Sequence, residues 1–157
     1  MKRTTLLLLS LLLSLPPLLA QESATTFSVR DLEGNRFKLE DLKGKVVALN
    51  FWFVQCKPCV MEMPELNELV REHQDEEVVF LAFALNGKPE LKQFLEKKEF
   101  AYRIVPDART VAEDYAVEAY PTHILIDATG EVTYRSRGFG PSTVSDLNEV
   151  LSGMLER

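Results

Sequence analysis

Cys56 and Cys59 are the residues of this chain whose type and spacing most directly suggest chemistry. An apolar run over residues 46–53 ends just before them, and a helical pattern starts at Pro58, which predicts Cys56 at a helix N-terminus. Free N–H groups and the helix dipole favour a thiolate there, and Cys59 follows one turn later, within disulfide reach. Cys56 is therefore predicted to attack a substrate disulfide, and Cys59 to resolve the mixed disulfide.

The residues around the pair favour redox chemistry over the other uses of such a motif. Lys57 adds a positive charge beside the thiolate, and Pro58 suits a first helical turn because its missing N–H would be unpaired anyway. Zinc normally takes four ligands, and only His73 and His123 remain, far away in sequence, so no metal is predicted. Haem attachment needs a histidine where Val60 stands. A structural disulfide closing so short a loop would restrict the unfolded chain only modestly.

Apolar periodicity divides the rest of the chain into alternating strands and helices. The predicted strands cover residues 27–30, 36–39, 46–53, 78–85, 102–105, 122–126 and 131–135. The predicted helices cover residues 58–73, 89–98 and 110–115, with a last helix opened by Ser142. The hairpin after Asp127 must be antiparallel, so an α/β sandwich with a mixed sheet is expected.

The first twenty residues are typical of a secretory signal peptide. Lys2 and Arg3 precede a leucine-rich stretch of about fifteen residues, which is shorter than the ~20 of a spanning helix and is interrupted by Pro16 and Pro17. Cleavage is predicted after Ala20, with an uncleaved N-terminal anchor as the alternative. A short tail at residues 21–25 and one domain at residues 26–157 would follow, in a periplasmic or other extracytoplasmic location.

The charge balance argues against nucleic acid as a partner. The chain carries 18 basic and 24 acidic residues, a net charge of −6. Without Lys2 and Arg3, 16 basic residues face 24 acidic ones and the net charge becomes −8. Such a domain has no general attraction for a polyanion.

Three further motifs make the sequence similar to the TlpA/ResA-type branch of the thioredoxin superfamily over residues 26–157. They are residues 50–52 ahead of the cysteines, residues 62–66 after them, and residues 120–127, which include Tyr120, Pro121 and Thr122. The resemblance implies a three-layer sandwich: a mixed central sheet flanked by helices, with an N-terminal β-hairpin. It also implies an extra helix and strand, within residues 85–107, before the strand that follows a cis-proline.

The same resemblance suggests roles for residues outside the cysteine pair. It implies a cis peptide bond between Tyr120 and Pro121, and a substrate surface formed by these two residues with Thr122. Trp52 is counted with this surface, although its side chain is expected in the core or as the wall beneath the cysteines. Glu62 lies three residues after Cys59, on the same helix face, and the resemblance makes it the carboxylate that tunes thiol ionisation. The alternative for Glu62 is an ordinary solvated helix carboxylate.

Three positions limit what the resemblance implies. Asn50 stands where thioredoxins proper carry a buried aspartate, and an amide cannot shuttle protons, so acid–base work would fall to Glu62 or water. Gln55 replaces the tryptophan usual before the first cysteine, which changes the rim of the substrate surface. His123 is expected to be a packed or partly exposed strand histidine, with thiol tuning as the alternative.

The function predicted from these observations is that of an exported enzyme: a thiol–disulfide oxidoreductase that reduces protein disulfides. It needs no cofactor, and its expected partners are disulfide-containing client proteins and a membrane thiol carrier as electron donor, with the enzyme itself a monomer. A peroxiredoxin is the alternative enzyme, although Phe53 stands where the peroxide-activating threonine would be. A copper chaperone is a third possibility, although its CxxxC motif is one residue longer.

Overall fold

The structure, a computed structural model, describes residues 22–156, so the predicted signal peptide at residues 1–20 lies outside the described residues. The strands are β1 (Glu22–Ser23), β2 (Ser28–Arg30), β3 (Arg36–Lys38), β4 (Val46–Trp52), β5 (Val78–Ala84), β6 (Arg103–Val105), β7 (Thr122–Ile126) and β8 (Glu131–Arg137). The helices are α1 (Lys57–Glu72), α2 (Lys88–Leu95), α3 (Arg109–Asp114) and α4 (Thr143–Leu155), and a 3-10 turn covers Leu39–Leu42.

The central sheet is mixed, as predicted, and its strand order is β1-β8-β7-β4-β5-β6. Strands β4, β5 and β6 run parallel, β7 is antiparallel to β4, and β8 is antiparallel to β7. The hairpin of β2 and β3 forms a separate two-stranded sheet. Residues 128–130 make the predicted turn after β7, with Gly130 at a φ of +96°, which glycine adopts without steric cost.

Strand β4 is buried along its whole length, as its unbroken apolar run predicts for a central strand. Alternate residues point to opposite faces of the sheet. Val46, Ala48 and Trp52 pack on the side that also holds core residues of α1, α2 and α4. Leu49 and Phe51 pack on the other side, with α3 and the hairpin of β2 and β3.

The C-terminal end of α1 is joined to α4 through a buried histidine. His73 Nδ1 lies 3.0 Å from Glu76 Oε1, and its Nε2 lies 2.7 Å from Asn148 Oδ1. Asn148 in turn donates to Glu72. This polar junction fixes α1 against α4 at the end of the helix remote from the cysteines.

Most strand and α-helix boundaries lie within one residue of the sequence prediction, and three differences are larger. Residues 22–23 were expected to belong to an N-terminal tail, but they form β1, which pairs with Val132 and Glu131. Helix α2 ends at Leu95 because the N–H groups of residues 97 and 98 both turn back to the Phe94 carbonyl. Strand β8 extends two residues beyond its predicted end, since β7 pairs with it as far as Arg137. None of the helices within residues 22–156 combines the length and apolar character that crossing a bilayer requires.

Candidate active site

Cys56 and Cys59 form a disulfide at the N-terminus of α1. Cys56 is the N-cap residue, and its Sγ accepts a hydrogen bond from the backbone N–H of Cys59 at 3.3 Å. Because this donor is one of the free N–H groups of the first helical turn, it and the helix dipole would stabilise negative charge on Cys56 after reduction. The geometry therefore favours Cys56 over Cys59 as the thiolate.

The two cysteines are both largely covered, but to different degrees. Cys56 is 5% exposed and Cys59 only 1%, which leaves Cys56 as the more accessible sulfur-bearing residue. Lys57 and Pro58 between them are exposed, at the first and second positions of the helix. Solvent therefore screens the charge of Lys57, and the predicted tuning of the thiols by these two residues stays a prediction.

Glu62 is fully buried, so it is not a solvated helix carboxylate. It lies one turn after Cys59 on the covered face of α1, at a spacing that puts Cβ atoms about 5–6 Å apart. Its Oε1 accepts from Asn50 Nδ2 at 3.3 Å, and His123 Nε2 lies 3.1 and 3.2 Å from its two oxygens. The carboxylate thus faces two polar groups of the sheet.

Asn50 and His123 reach Glu62 from neighbouring strands. They are directly opposite each other in the register of β4 and β7, and they are 1% and 0% exposed. Their side chains also approach each other, with Asn50 Nδ2 3.4 Å from His123 Nδ1. The expectation of a merely packed histidine was therefore incomplete for His123. Its same-face alternation with Leu125 was a usable signal, but its partner could not be known without the register of the sheet.

Tyr102 lies close enough to this cluster to feel the charge of Glu62. Burial, and to a smaller extent that negative charge, raise the pKa of Tyr102 far above its usual range. Its buried hydroxyl finds no hydrogen-bond partner among residues 22–156. The phenol therefore keeps its proton and adds no charge beneath the cysteines.

The peptide bond between Tyr120 and Pro121 is cis, as the resemblance implied. The Tyr120 ring packs edge-on against Phe53, with ring centroids 5.4 Å apart, and the Phe53 carbonyl accepts from the backbone N–H of Cys56 at 3.0 Å. The proline segment and the cysteine turn therefore adjoin one another. Thr122 is buried and its hydroxyl donates to the Ala119 carbonyl, so its side chain is used locally.

Trp52 lies in the core, which was one of its expected places, and not on the substrate surface. Its side chain is fully buried and packs against Phe94 and Phe100, with ring centroids 5.5 and 5.4 Å away. An indole with no exposed surface cannot touch a client protein. Its Nε1 has no hydrogen-bond partner in the described part of the chain, so packing alone holds the ring.

Gln55 is anchored by contacts that sequence reasoning did not find. It is exposed, it accepts from Asn86 Nδ2 at 3.2 Å, and its own amide donates to Glu90. The Asn86 side chain also accepts from the backbone N–H of Val54 at 2.7 Å. The residue before Cys56 therefore presents a polar rim held by the segment after β5.

The site contains a redox-active pair and nearby acid–base groups, but no evident place for a metal. Within residues 22–156, no three His, Cys, Asp or Glu side chains cluster as a metal site would require. The chemistry that the described residues can perform is thiol–disulfide exchange, with Glu62 and His123 as the adjacent proton-binding groups.

Sequence comparison relates the chain to known thiol-dependent proteins. The model of the AhpC/TSA family matches residues 20–135. Thiol-disulfide oxidoreductase ResA of Bacillus cereus is 36% identical over 138 residues, which cover 87% of this chain and 76% of that protein. The thioredoxin-like protein YneN of Bacillus subtilis is 36% identical over 114 residues, which cover 71% of this chain and 67% of that one.

Solved structures confirm the predicted fold class. A candidate thiol:disulfide interchange protein DsbE from Chlorobium tepidum superposes with a TM-score of 0.79 at 26% identity, over 86% of this chain and 96% of that one. An exposed lipoprotein thioredoxin from Streptococcus pneumoniae gives 0.71 at 26% identity, over 82% of this chain and 99% of that one. The architecture is that of thioredoxin-like proteins.

Proposed function

The chain belongs to the AhpC/TSA family and is a ResA-like thiol–disulfide oxidoreductase, and from this premise we propose that it reduces disulfides of client proteins outside the cytoplasm. The observation that carries the proposal is the Cys56–Cys59 disulfide at the N-cap of α1. This position stabilises the thiolate that begins exchange and holds the second sulfur within reach of the first.

In the proposed reaction, the Cys56 thiolate attacks a client disulfide and forms a mixed disulfide, and one client sulfur leaves with the electron pair. Cys59 then attacks the Cys56 sulfur, so the enzyme becomes the oxidised disulfide and the second client sulfur leaves as a thiolate. Two electrons pass to the client, whose thiolates take up two protons. Tyr120 and Pro121 are proposed to contact the client, Lys57 and Pro58 to tune the thiols, and Glu62 to exchange the proton of Cys59.

The test of this proposal is the reduction potential of the Cys56/Cys59 couple together with its turnover. A reductase is expected below about −180 mV, on the reducing side of protein disulfide isomerase. The reduced protein should reduce a protein disulfide such as that of insulin, and Cys56→Ser should fall to the uncatalysed rate. Rapid consumption of hydrogen peroxide without disulfide reduction would contradict the proposal and indicate a peroxiredoxin. Tight copper binding without disulfide reduction would indicate a copper chaperone.

The location is part of the proposal, with residues 1–20 as an export signal ahead of the catalytic domain, whose sheet includes β1 at residues 22–23. Re-reduction outside the cytosol then requires a membrane thiol carrier. We expect alkaline phosphatase fused after Arg157 to be active in bacteria, because that reporter needs disulfides that form after export. The fusion lacking residues 2–20 should be inactive. Equal activity of both fusions would contradict export by this segment.

Glu62→Gln is expected to lower the apparent pKa of the reactive thiol, by about one unit, because it removes a buried negative charge one helical turn from Cys59. The glutamine keeps the shape and an oxygen that can accept from Asn50, so the fold should persist. The measurement is the rate of iodoacetamide labelling against pH, beside Glu65→Gln on the exposed face of α1. Superimposable curves for wild type and Glu62→Gln would remove Glu62 from the mechanism.

A further inference from the structure

Three polar side chains from three elements meet in the interior beneath the cysteines. Asn50 of β4, Glu62 of α1 and His123 of β7 are each at most 1% exposed. Burying groups of this kind is costly unless they are hydrogen-bonded to one another. They satisfy this condition almost entirely among themselves, which marks the cluster as a unit rather than as three separate core residues.

The hydrogen-bond pattern defines which atoms carry the protons. An amide nitrogen only donates, so Asn50 Nδ2 donates to Glu62 Oε1 and to His123 Nδ1. The ring nitrogen that accepts from Asn50 carries no proton, so the imidazole proton of the neutral ring lies on Nε2. That nitrogen faces both oxygens of Glu62, at 3.1 and 3.2 Å. The neutral ring therefore donates its Nε2–H to the carboxylate, and it can take up a further proton only at Nδ1, when the Asn50 amide turns its oxygen toward that nitrogen.

We infer that His123 is a positioning residue for thiol–disulfide exchange, which acts through Glu62: its Nε2–H holds the carboxylate, and the ring can take up a proton at Nδ1 to balance the carboxylate charge. The proposal rests on the proposed function, because it concerns the step in which Cys59 resolves the mixed disulfide. The proton-accepting group is then a carboxylate–imidazole pair, oriented by the Asn50 amide. Asn50 holds the neutral ring in its Nε2–H tautomer, and its amide oxygen can accept from Nδ1–H once the ring is protonated.

Resolution of the mixed disulfide moves one proton and one electron pair. The Cys59 thiol gives its proton to the Glu62–His123 pair, and the resulting thiolate attacks the Cys56 sulfur. The bond between Cys56 and Cys59 forms, the bond between Cys56 and the client sulfur breaks, and the client thiolate leaves with the electron pair and takes up a proton from solvent. The enzyme loses two electrons to the client over the whole exchange. The pair keeps the Cys59 proton until it is released to solvent.

The groups that surround Glu62 and His123 do not compete with them for the proton of Cys59. The cysteines face it from α1, and Tyr102, just before β6, stays a neutral phenol because burial and the charge of Glu62 raise its pKa. From β8, Ser136 stands opposite His123 in the strand register. The Ser136 hydroxyl is buried and has no partner within residues 22–156, so it can turn toward the ring without breaking another bond.

The test is the pH dependence of full-length His123→Gln, whose side chain can donate to Glu62 but cannot take up a proton. We expect resolution of a preformed mixed disulfide at Cys56 to slow at least tenfold, less than the ~10²–10⁴-fold contribution of a general base, because Glu62 remains. The iodoacetamide profile of the reduced protein should shift as well. Both effects should largely vanish when His123→Gln is made in a Glu62→Gln background, since residues acting as one unit are not additive.

His73→Gln is the matched control, because it also removes a buried histidine bonded to a glutamate, at the far end of α1. It is expected to alter stability and leave the thiol profile unchanged. Three results would each overturn the inference: an unchanged profile in His123→Gln, the same shift in His73→Gln, or a full shift in the Glu62→Gln background.

A second measurement needs no variant at His123. The ¹⁵N shifts of its ring in the wild-type protein should report the Nε2–H tautomer when the disulfide is closed, and should change on reduction. Ring shifts that are identical in both redox forms across pH would contradict proton sharing. None of these readouts requires a physiological client, so a failure of the proposed reductase function would be distinguishable from a failure of this inference.

Discussion

Cys59→Ser is expected to convert the protein into a trap for its clients. Exchange should proceed through attack by Cys56 and then stop, since the serine hydroxyl cannot resolve the mixed disulfide. The N–H that caps the Cys56 sulfur belongs to the backbone of residue 59, so the substitution keeps the contact that stabilises the thiolate. We expect most of the variant to accumulate as covalent adducts and catalytic reduction to fall to background.

Trapping is measured by non-reducing electrophoresis and mass spectrometry after mixing the reduced variant with a disulfide-bonded protein. Cys56→Ser is the matched control, because serine is a good N-cap and should preserve the start of α1 while removing the nucleophile. It should form few adducts. Equal trapping by the two variants, or adducts confined to Cys56→Ser, would refute the assignment of Cys56 as the attacking residue.

Trp52→Ala is expected to cost about 3–5 kcal/mol of unfolding free energy, the range for removing a large aromatic side chain from a core. Trp52 is the last residue of β4, and its indole is fully buried against the rings of Phe94 in α2 and Phe100 between α2 and β6. The corresponding fall in melting temperature is roughly 10 °C for a protein of this size. The measurement is denaturant unfolding of the oxidised protein, read by circular dichroism.

Two variants separate the packing of Trp52 from other effects. Trp52→Phe loses an unpartnered N–H and part of the ring volume, so its cost should stay below about 1.5 kcal/mol. Met61→Ala removes a side chain of a residue that is 57% exposed and should change stability by less than about 0.5 kcal/mol. If Trp52→Ala lowered the unfolding free energy as little as Met61→Ala, the result would contradict the core position of Trp52.

Local sequence patterns predicted the parts of the fold whose signals are local. The unbroken apolar run of β4, the three- and four-residue spacing along α1 and the turn after Asp127 all specified their elements with small boundary errors. Strand β1 was missed because two polar residues have no periodicity of their own, and only pairing with β8 makes them a strand. The core place expected for Trp52 is confirmed, but its inclusion in the substrate surface was wrong, because its sequence position adjoins the site while its side chain points into the core.

The site was likewise predictable only where its signal lies within a few neighbouring residues. Cys56 and Cys59 carry their signal in four consecutive residues, and Glu62 was found through its helical spacing from Cys59. The partnership of Glu62 with His123 joins residues 61 positions apart, and the anchoring of Gln55 by Asn86 joins residues 31 positions apart. Contacts of this kind depend on strand register and on the direction of loops, which no short window of sequence contains.

The direct pairing of Phe51 with Thr122 has a consequence for how such an enzyme could be redesigned. The cysteine turn and the proline segment leave adjacent antiparallel strands at the same edge of the sheet, so their juxtaposition is set by β4 and β7 and not by the chain that connects them. Residues 86–118 connect the two strands, but they also add β6 to the sheet and Leu91 to the core, so they are not exchangeable as a block. Changing only the polar rim side chains of Asn86 and Glu90 is therefore the expected way to alter client preference while the redox centre keeps its place.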